Sequence, residues 1–197
     1  MKTSVKDYLS SFIKLSPEIE NEVLSIYENR SYKKMEHFMK CDSAADKIAF
    51  VREGILRAYE TNCQGEEITI SFYAAPCFAL DFVAFQEGKS TTMNIQALTP
   101  AKLQIANIND VYTLNEKYAV LGKIHIKLLE DLYCYHKKRE TSFILNSATE
   151  RYLNFINTKQ ELFNTIPQHY IASYLGIKPQ SLSRIRTKLS KQSPSDF

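Results

Sequence analysis

Glycine is scarce in this chain, with five among 197 residues, and histidine is scarcer still, with four. The glycines are scattered, so no phosphate-cradling loop of the glycine-rich type can be written along the sequence. The histidines, His37, His125, His136 and His169, stand apart, and the β-rich region holds only His37, with no H-x-H pair. No nucleophile motif appears either, so the usual constellations of hydrolytic or metal-assisted chemistry are missing and an enzyme is not expected. Cysteine points the same way. Cys41, Cys63, Cys77 and Cys134 form no C-x-x-C pair and have no histidine at ligand spacing, which reads as reduced, idle thiols and not as a metal or iron–sulfur site. No cofactor is expected. No apolar run is long enough to span a bilayer, and the N-terminus lacks the unbroken apolar core of a signal peptide, so the expectation is a soluble, cytoplasmic protein with no membrane partner.

What is present is a hydrophobic fraction of 44%, enough for a sizeable core in one large domain or one and a half. Charge is distributed unevenly. Residues 147–197 hold seven Lys/Arg against three acids, net +4, whereas the first 146 residues hold 18 cations and 19 acids, net −1. A near-neutral body with a basic tail points to a polyanionic partner for the tail, with a solvated basic surface as the alternative.

Periodicity changes three times along the chain. Residues 3–30 predict one or two short helices, with "SPEIE" as a helix start: Ser16 the cap, Pro17 the first helical position, acids after it. "DKIAFVREGILRAYE" and "EEITISFY" alternate apolar and polar residues around the turn "TNCQGEE", and "TTMNIQAL" and "AKLQIANI" are strand-like as well. The region 32–108 therefore reads as an antiparallel sandwich or roll. Then Leu121, Ile124, Leu128, Leu132 and Tyr135 recur at three- and four-residue steps in a long helix ending near Phe143. That stripe has two uses of equal merit: covering the sheet of its own subunit, or forming a dimer seam, for which the near-heptad set 121, 128, 135 is suited. A break at Asn146 and Ser147 makes a hinge before the next helix, with Thr149 a candidate cap.

The last segment, "IPQHYIASYLGIKPQSLSRIRTKL", meets the three demands of a helix-turn-helix. Ala172 is the small residue where the helices cross, Gly176 the turn residue, and Ile171, Leu175, Ile177, Leu182 and Ile185 the buried anchors. Pro179 suits the first turn of the second helix. With Leu182, Ile185 and Leu189 turned inward, Gln180, Ser181, Arg184 and Lys188 form a reading edge: arginine for guanine, glutamine for adenine, serine for several acceptors. Lys178, Arg186, Lys188 and Lys191 suit phosphates, and Gln168 opens the unit. The alternative is a helical hairpin whose basic face only keeps it soluble.

Helical start, β-roll, long helix and C-terminal helix-turn-helix, in that order, resemble the Crp/Fnr family of bacterial transcription regulators over nearly the whole chain. The matching stretches are "VREGILRAYETNCQGEEITISFY", "ATERYLNFI" and "IASYLGIKPQSLSRIRTKL". The resemblance implies an α+β fold with a cyclic-nucleotide-binding-like roll at 1–109, a dimerisation helix and hinge at 110–146, and a DNA-binding unit at 147–197. It implies double-stranded DNA and a second copy of the chain as partners, a small-molecule effector of unknown chemistry, and RNA polymerase as a further contact. Arg184 matches the family's base-contacting arginine and Gln180 the place of an acidic base contact, while Pro179 stands where many members carry another contacting arginine. In the roll, Thr91 and Thr92 replace the arginine-serine pair that faces a cyclic phosphate, and Asp81 is what remains of the preceding acidic position. A buried phosphate would be poorly compensated there, so cyclic AMP is not expected to bind. Any other effector is expected near Phe78, Asp81, Phe82, Phe85, Thr91 and Thr92. Two other readings stand beside this one: a scaffold protein with a degenerate roll and no operator, and, less favoured, an enzyme using the roll as a barrel.

Overall fold

The computed structural model describes residues 4–190. Lys191, expected at a phosphate, and any wing built from the last residues lie outside the described residues. The chain opens with α1 (Val5–Ser10), capped by a reciprocal Ser4–Asp7 box, and α2 (Pro17–Ser25), capped by Ser16 with Pro17 behind it as the sequence predicts. Eight strands follow: β1 (Glu28–Tyr32), β2 (His37–Met39), β3 (Lys47–Glu53), β4 (Ile55–Thr61), β5 (Glu67–Ala74), β6 (Cys77–Ala79), β7 (Asn94–Ala97) and β8 (Ala101–Asn107). The short helix α3 (Phe82–Glu87) separates β6 from β7, and α4 (Ile108–Lys117) follows β8; neither stands out as a helix in the sequence pattern.

The strands make two four-stranded sheets, in the orders β1-β8-β3-β6 and β2-β7-β4-β5. The chain changes sheet between β3 and β4 with a single intervening residue, Gly54. It changes again between β7 and β8, and the two corners touch: a Cβ on Gly54 would lie 2.5 Å from the Pro100 carbonyl oxygen. Strand β3 is buried on both faces, with Ala49, Phe50 and Val51 all at 0% exposure, which a period-two pattern does not foretell. The Phe50 face packs on the N-terminal helices, in a core of Val5, Leu15, Val23, Tyr27, Ala106 and Leu114 among others.

Helix α5 (Ala119–Leu145) carries two apolar stripes, and of the two uses expected for the first of them its N-terminal part takes the covering one. Leu121 and Ile124 are buried in the core just described and Leu128 packs against it, so these side chains cover their own subunit. Tyr135 is half-buried. Of the expected set only Leu132 is open, whereas Ile126 and Tyr133, a third of a turn away, are 58% and 69% exposed. Both stripes obey the same three-four spacing, so periodicity alone could not choose between them.

After α5 come α6 (Ala148–Thr158), α7 (Gln160–Thr165), α8 (Gln168–Tyr174) and α9 (Pro179–Ser190). The helix breaks at Asn146 and Ser147, where the sequence places the break, but the cap of α6 is Ser147, in a reciprocal box with Glu150, and not Thr149. Bonds from the Ser147 backbone and hydroxyl hold the Glu150 carboxyl below the usual carboxylate range. The chain divides into two compact units: residues up to Glu60 with Ser71–Tyr135, and Thr61–Ile70 with residues from His136 onward.

Candidate nucleic-acid interface

The second unit is organised around α8 and α9. Ile171, Ala172, Tyr174 and Leu175 are buried on α8 and its cap, Leu182 on α9, and Tyr152, Phe155, Leu162 and Ile166 complete the core. Ala172 is at 0% exposure, consistent with a small residue where two helices approach closely. Tyr174, which sequence pattern did not mark as core, stacks on Phe155 with ring centroids 5.6 Å apart. The turn is a full Schellman motif: Ile177 N–H donates to Ala172 O and Gly176 N–H to Ser173 O, both at 3.0 Å. Gly176 sits at φ +67°, the left-handed region where a side chain is disfavoured. Near the C-terminal end of α8, Ser173 Oγ accepts from Thr69 N–H at 2.9 Å and donates to Glu67 O at 3.4 Å, tying the outer end of β5 to this helix.

Helix α9 begins at Pro179, with Lys178 O accepting from Ser181 and Leu182 N–H. Its outward face carries Gln180, Ser183, Arg184, Thr187 and Lys188, all exposed. The spacing 180, 183, 184, 187, 188 is one helical face. Ser183 and Thr187 were not foreseen there; the inward anchor Leu182 already implied them, since residues one and five positions beyond it point away from the core. Ser181 is half-buried and sits toward the side of the helix. Arg186, expected at a phosphate, is exposed, and its guanidinium lies 5.4 Å from the Phe163 ring centroid of α7. Burial raises the Tyr152 hydroxyl pKa and the neighbouring Arg186 charge opposes that rise. Among the described residues, Lys178, Arg184 and Lys188 enter no ion pair. Gln168, the first residue of α8, is half-buried and its side-chain oxygen has no hydrogen-bond partner. The arrangement is a helix edge of donors and free cations with its backbone fixed by a tight turn, which is what base-edge and phosphate contacts require.

The residues expected to line an effector pocket do not converge. Asp81 and Thr91 do meet: Thr91 Oγ1 donates to Asp81 Oδ2 at 2.6 Å while Asp81 Oδ1 accepts Ala84 N–H at 3.1 Å, capping α3, and both residues are buried. Phe78, however, is on the other side of its sheet. Its register partner is Phe50, and it stacks on Phe50 and Tyr8 at 5.1 and 5.8 Å. Phe85 packs on Tyr112 of α4, Phe82 is half-buried, and the exposed Thr92 donates to Glu60 at 2.8 Å. A surface cleft of about 480 Å³ in the first unit, lined by Arg30, Tyr32, Glu36, His37 and Lys40 among others, shares none of these residues. Thr91→Val should leave one oxygen of the buried Asp81 carboxyl unsatisfied and cost about 1–3 kcal/mol. A thermal melt of the variant that matches the unsubstituted protein would show the bond to be dispensable.

Among the described residues no group of three or more His, Cys, Asp or Glu could hold a metal ion, and no helix is long and apolar enough to cross a membrane. No protein-family model and no curated relative matches the sequence. Solved structures do share the fold. FixK2 from Bradyrhizobium japonicum is 16% identical with a TM-score of 0.72, covering 85% of this chain and 86% of its own. A variant of CooA from Carboxydothermus hydrogenoformans is 19% identical with a TM-score of 0.70, covering 97% and 86%. A structure from Eubacterium rectale described as a transcriptional regulator of the Crp/Fnr family is 14% identical with a TM-score of 0.70, covering 91% and 85%. The likeness is one of fold, an antiparallel roll followed by a long helix and a helix-turn-helix.

Proposed function

We propose that this chain is a homodimeric, sequence-specific DNA-binding transcription regulator of the Crp/Fnr type that does not respond to cyclic AMP. One observation carries the reading: the exposed face of α9 combines Gln180, Ser183, Arg184, Thr187 and Lys188 on a helix whose turn is fixed by a Schellman motif. Arg184 is the base reader, and Lys178 and Lys188 bind phosphates. The second copy docks on the outer face of α5, at Ile126, Leu129 and Tyr133, which recur at steps of three and four.

Against a cyclic-nucleotide effector stand two features of the roll. The cation that a buried phosphate needs is replaced by Thr91, and the cap of α3 is already filled by the Asp81 carboxyl. An effector of another chemistry would act only by favouring one orientation of the reading heads over another.

The test is selection from random double-stranded DNA at near-physiological salt, followed by measurement of the complex's size. An inverted repeat with half-sites about one helical turn apart is the expected product. Binding that shows no enrichment and vanishes with modest salt would instead favour a scaffold without an operator. On the selected operator, Arg184→Ala should cost about 1–3 kcal/mol and relax preference at one base pair, whereas Lys188→Ala should weaken all sequences similarly. Equal losses for Arg184→Ala on operator and random DNA would mean that it contacts phosphate and not base.

A further inference from the structure

We propose that Arg139, Phe143 and Arg151 clamp the α8–α9 turn and set the pose of the reading helix, the two arginines acting as positioning residues for sequence recognition; this rests on the DNA-reading function above. The reason lies in the carbonyls that end α8. The Schellman motif satisfies Ala172 and Ser173, and Leu175 N–H donates to Ile171 O. The carbonyls of Tyr174 and Leu175 are left over. Arg139 Nη2 donates to Tyr174 O at 3.1 Å, and Arg151 Nε donates to Leu175 O at 3.2 Å. Each remaining acceptor therefore receives one guanidinium, from α5 and from α6.

Both guanidinium groups lie over the Phe143 ring. Both guanidinium carbons are 4.9 Å from its centroid, and Arg139 also lies 4.5 Å from the Tyr174 ring. The same ring presses on the turn: a Cβ on Gly176 would come within 2.8 Å of Phe143 Cε1. Arg151 has a further bond, Nη1 to Asn146 O at 2.7 Å, so one rigid fork spans the hinge and the turn together. A lysine keeps the charge but, as a point donor on a flexible stem, cannot reproduce that fork. Arg139 Nε is buried without a partner, a cost that fits a side chain held by its Nη2 bond and two ring faces. End of α5, hinge, and start of α9 thus form one mechanical piece, in which any rotation of the last turns of α5 carries the reading edge with it.

The experiment compares the full chain with Arg151→Lys and, separately, Arg139→Lys. Three readouts are taken: affinity for the selected operator, affinity for random DNA of equal length at the same salt, and amide hydrogen exchange across residues 172–178. Arg151→Lys is expected to lose about tenfold or more on the operator. Its random-DNA affinity should stay within about twofold because charge is unchanged, and Gly176 and Ile177 should exchange faster, with Arg139→Lys behaving the same way more weakly. Operator binding by both variants equal to that of the unsubstituted chain overturns the clamp alone, as does an equal loss on operator and random DNA. Unaltered exchange at the turn overturns it too. If the unsubstituted chain selects no operator, the reading function itself has failed and the positioning role falls with it, whatever the exchange shows.

Discussion

Ile126→Glu combined with Tyr133→Glu is expected to yield a monomer and to lower operator affinity by about 100-fold or more, because two linked half-site contacts then become independent ones. The size of the effect follows from where α5 keeps its apolar surface. Ile126 and Tyr133 are seven residues apart and 58% and 69% exposed, with the half-buried Leu129 between them. In the proposed dimer these positions, one heptad apart, form the seam, and an added carboxylate there would be desolvated against its own copy. Leu121→Ala is the necessary contrast. Leu121 is 4% exposed in the core of the first unit, so its truncation should cost about 2–5 kcal/mol and leave the subunit count unchanged. Sedimentation or light scattering decides between them: a dimer that survives both glutamates would place the subunit interface elsewhere on the chain.

The choice between these stripes shows where the sequence was legible and where it was not. Local signals read true, because their physics is local: Ser16 and Pro17 start α2, "TNCQGEE" turns β4 into β5, and Ala172, Gly176 and Leu182 take the crossing, turn and anchor positions. What spacing left open was the assignment of a pattern to a partner. Leu121 and Ile126 belong to apolar faces of one helix, and the core packed on it, from the N-terminal helices, Phe50, Ala106 and Leu114, decides which is covered. Phe78 was expected to face a ligand for the same reason. Its parity puts it opposite Phe50, on a strand buried on both faces, where alternation carries no information about sides. Arg139 and Arg151 went unnoticed because a guanidinium bonding a backbone carbonyl leaves no trace in spacing: the acceptors, Tyr174 and Leu175, could be any residues at all.

Gly54→Ala is expected to be the most damaging single-methyl change in the first unit, costing about 3 kcal/mol or more and lowering its melting temperature by roughly 6–12 °C. Two independent terms add. The residue sits at φ +91°, where an L side chain strains the backbone. The new methyl would also lie 2.5 Å from the Pro100 carbonyl oxygen and 2.9 Å from the Ala101 Cα, both backbone atoms that no rotamer change can move aside. Gly88→Ala, in the same unit, separates the terms, since its φ is +63° but a Cβ there meets nothing within 4 Å. It carries the strain without the collision and should cost about 1–2 kcal/mol. The gap between the two variants measures the contact between the corners at which the chain passes from one sheet to the other. Equal melting temperatures for both would mean that the corners separate readily, and that the meeting of Gly54 with Pro100 and Ala101 does not fix the two sheets of the roll.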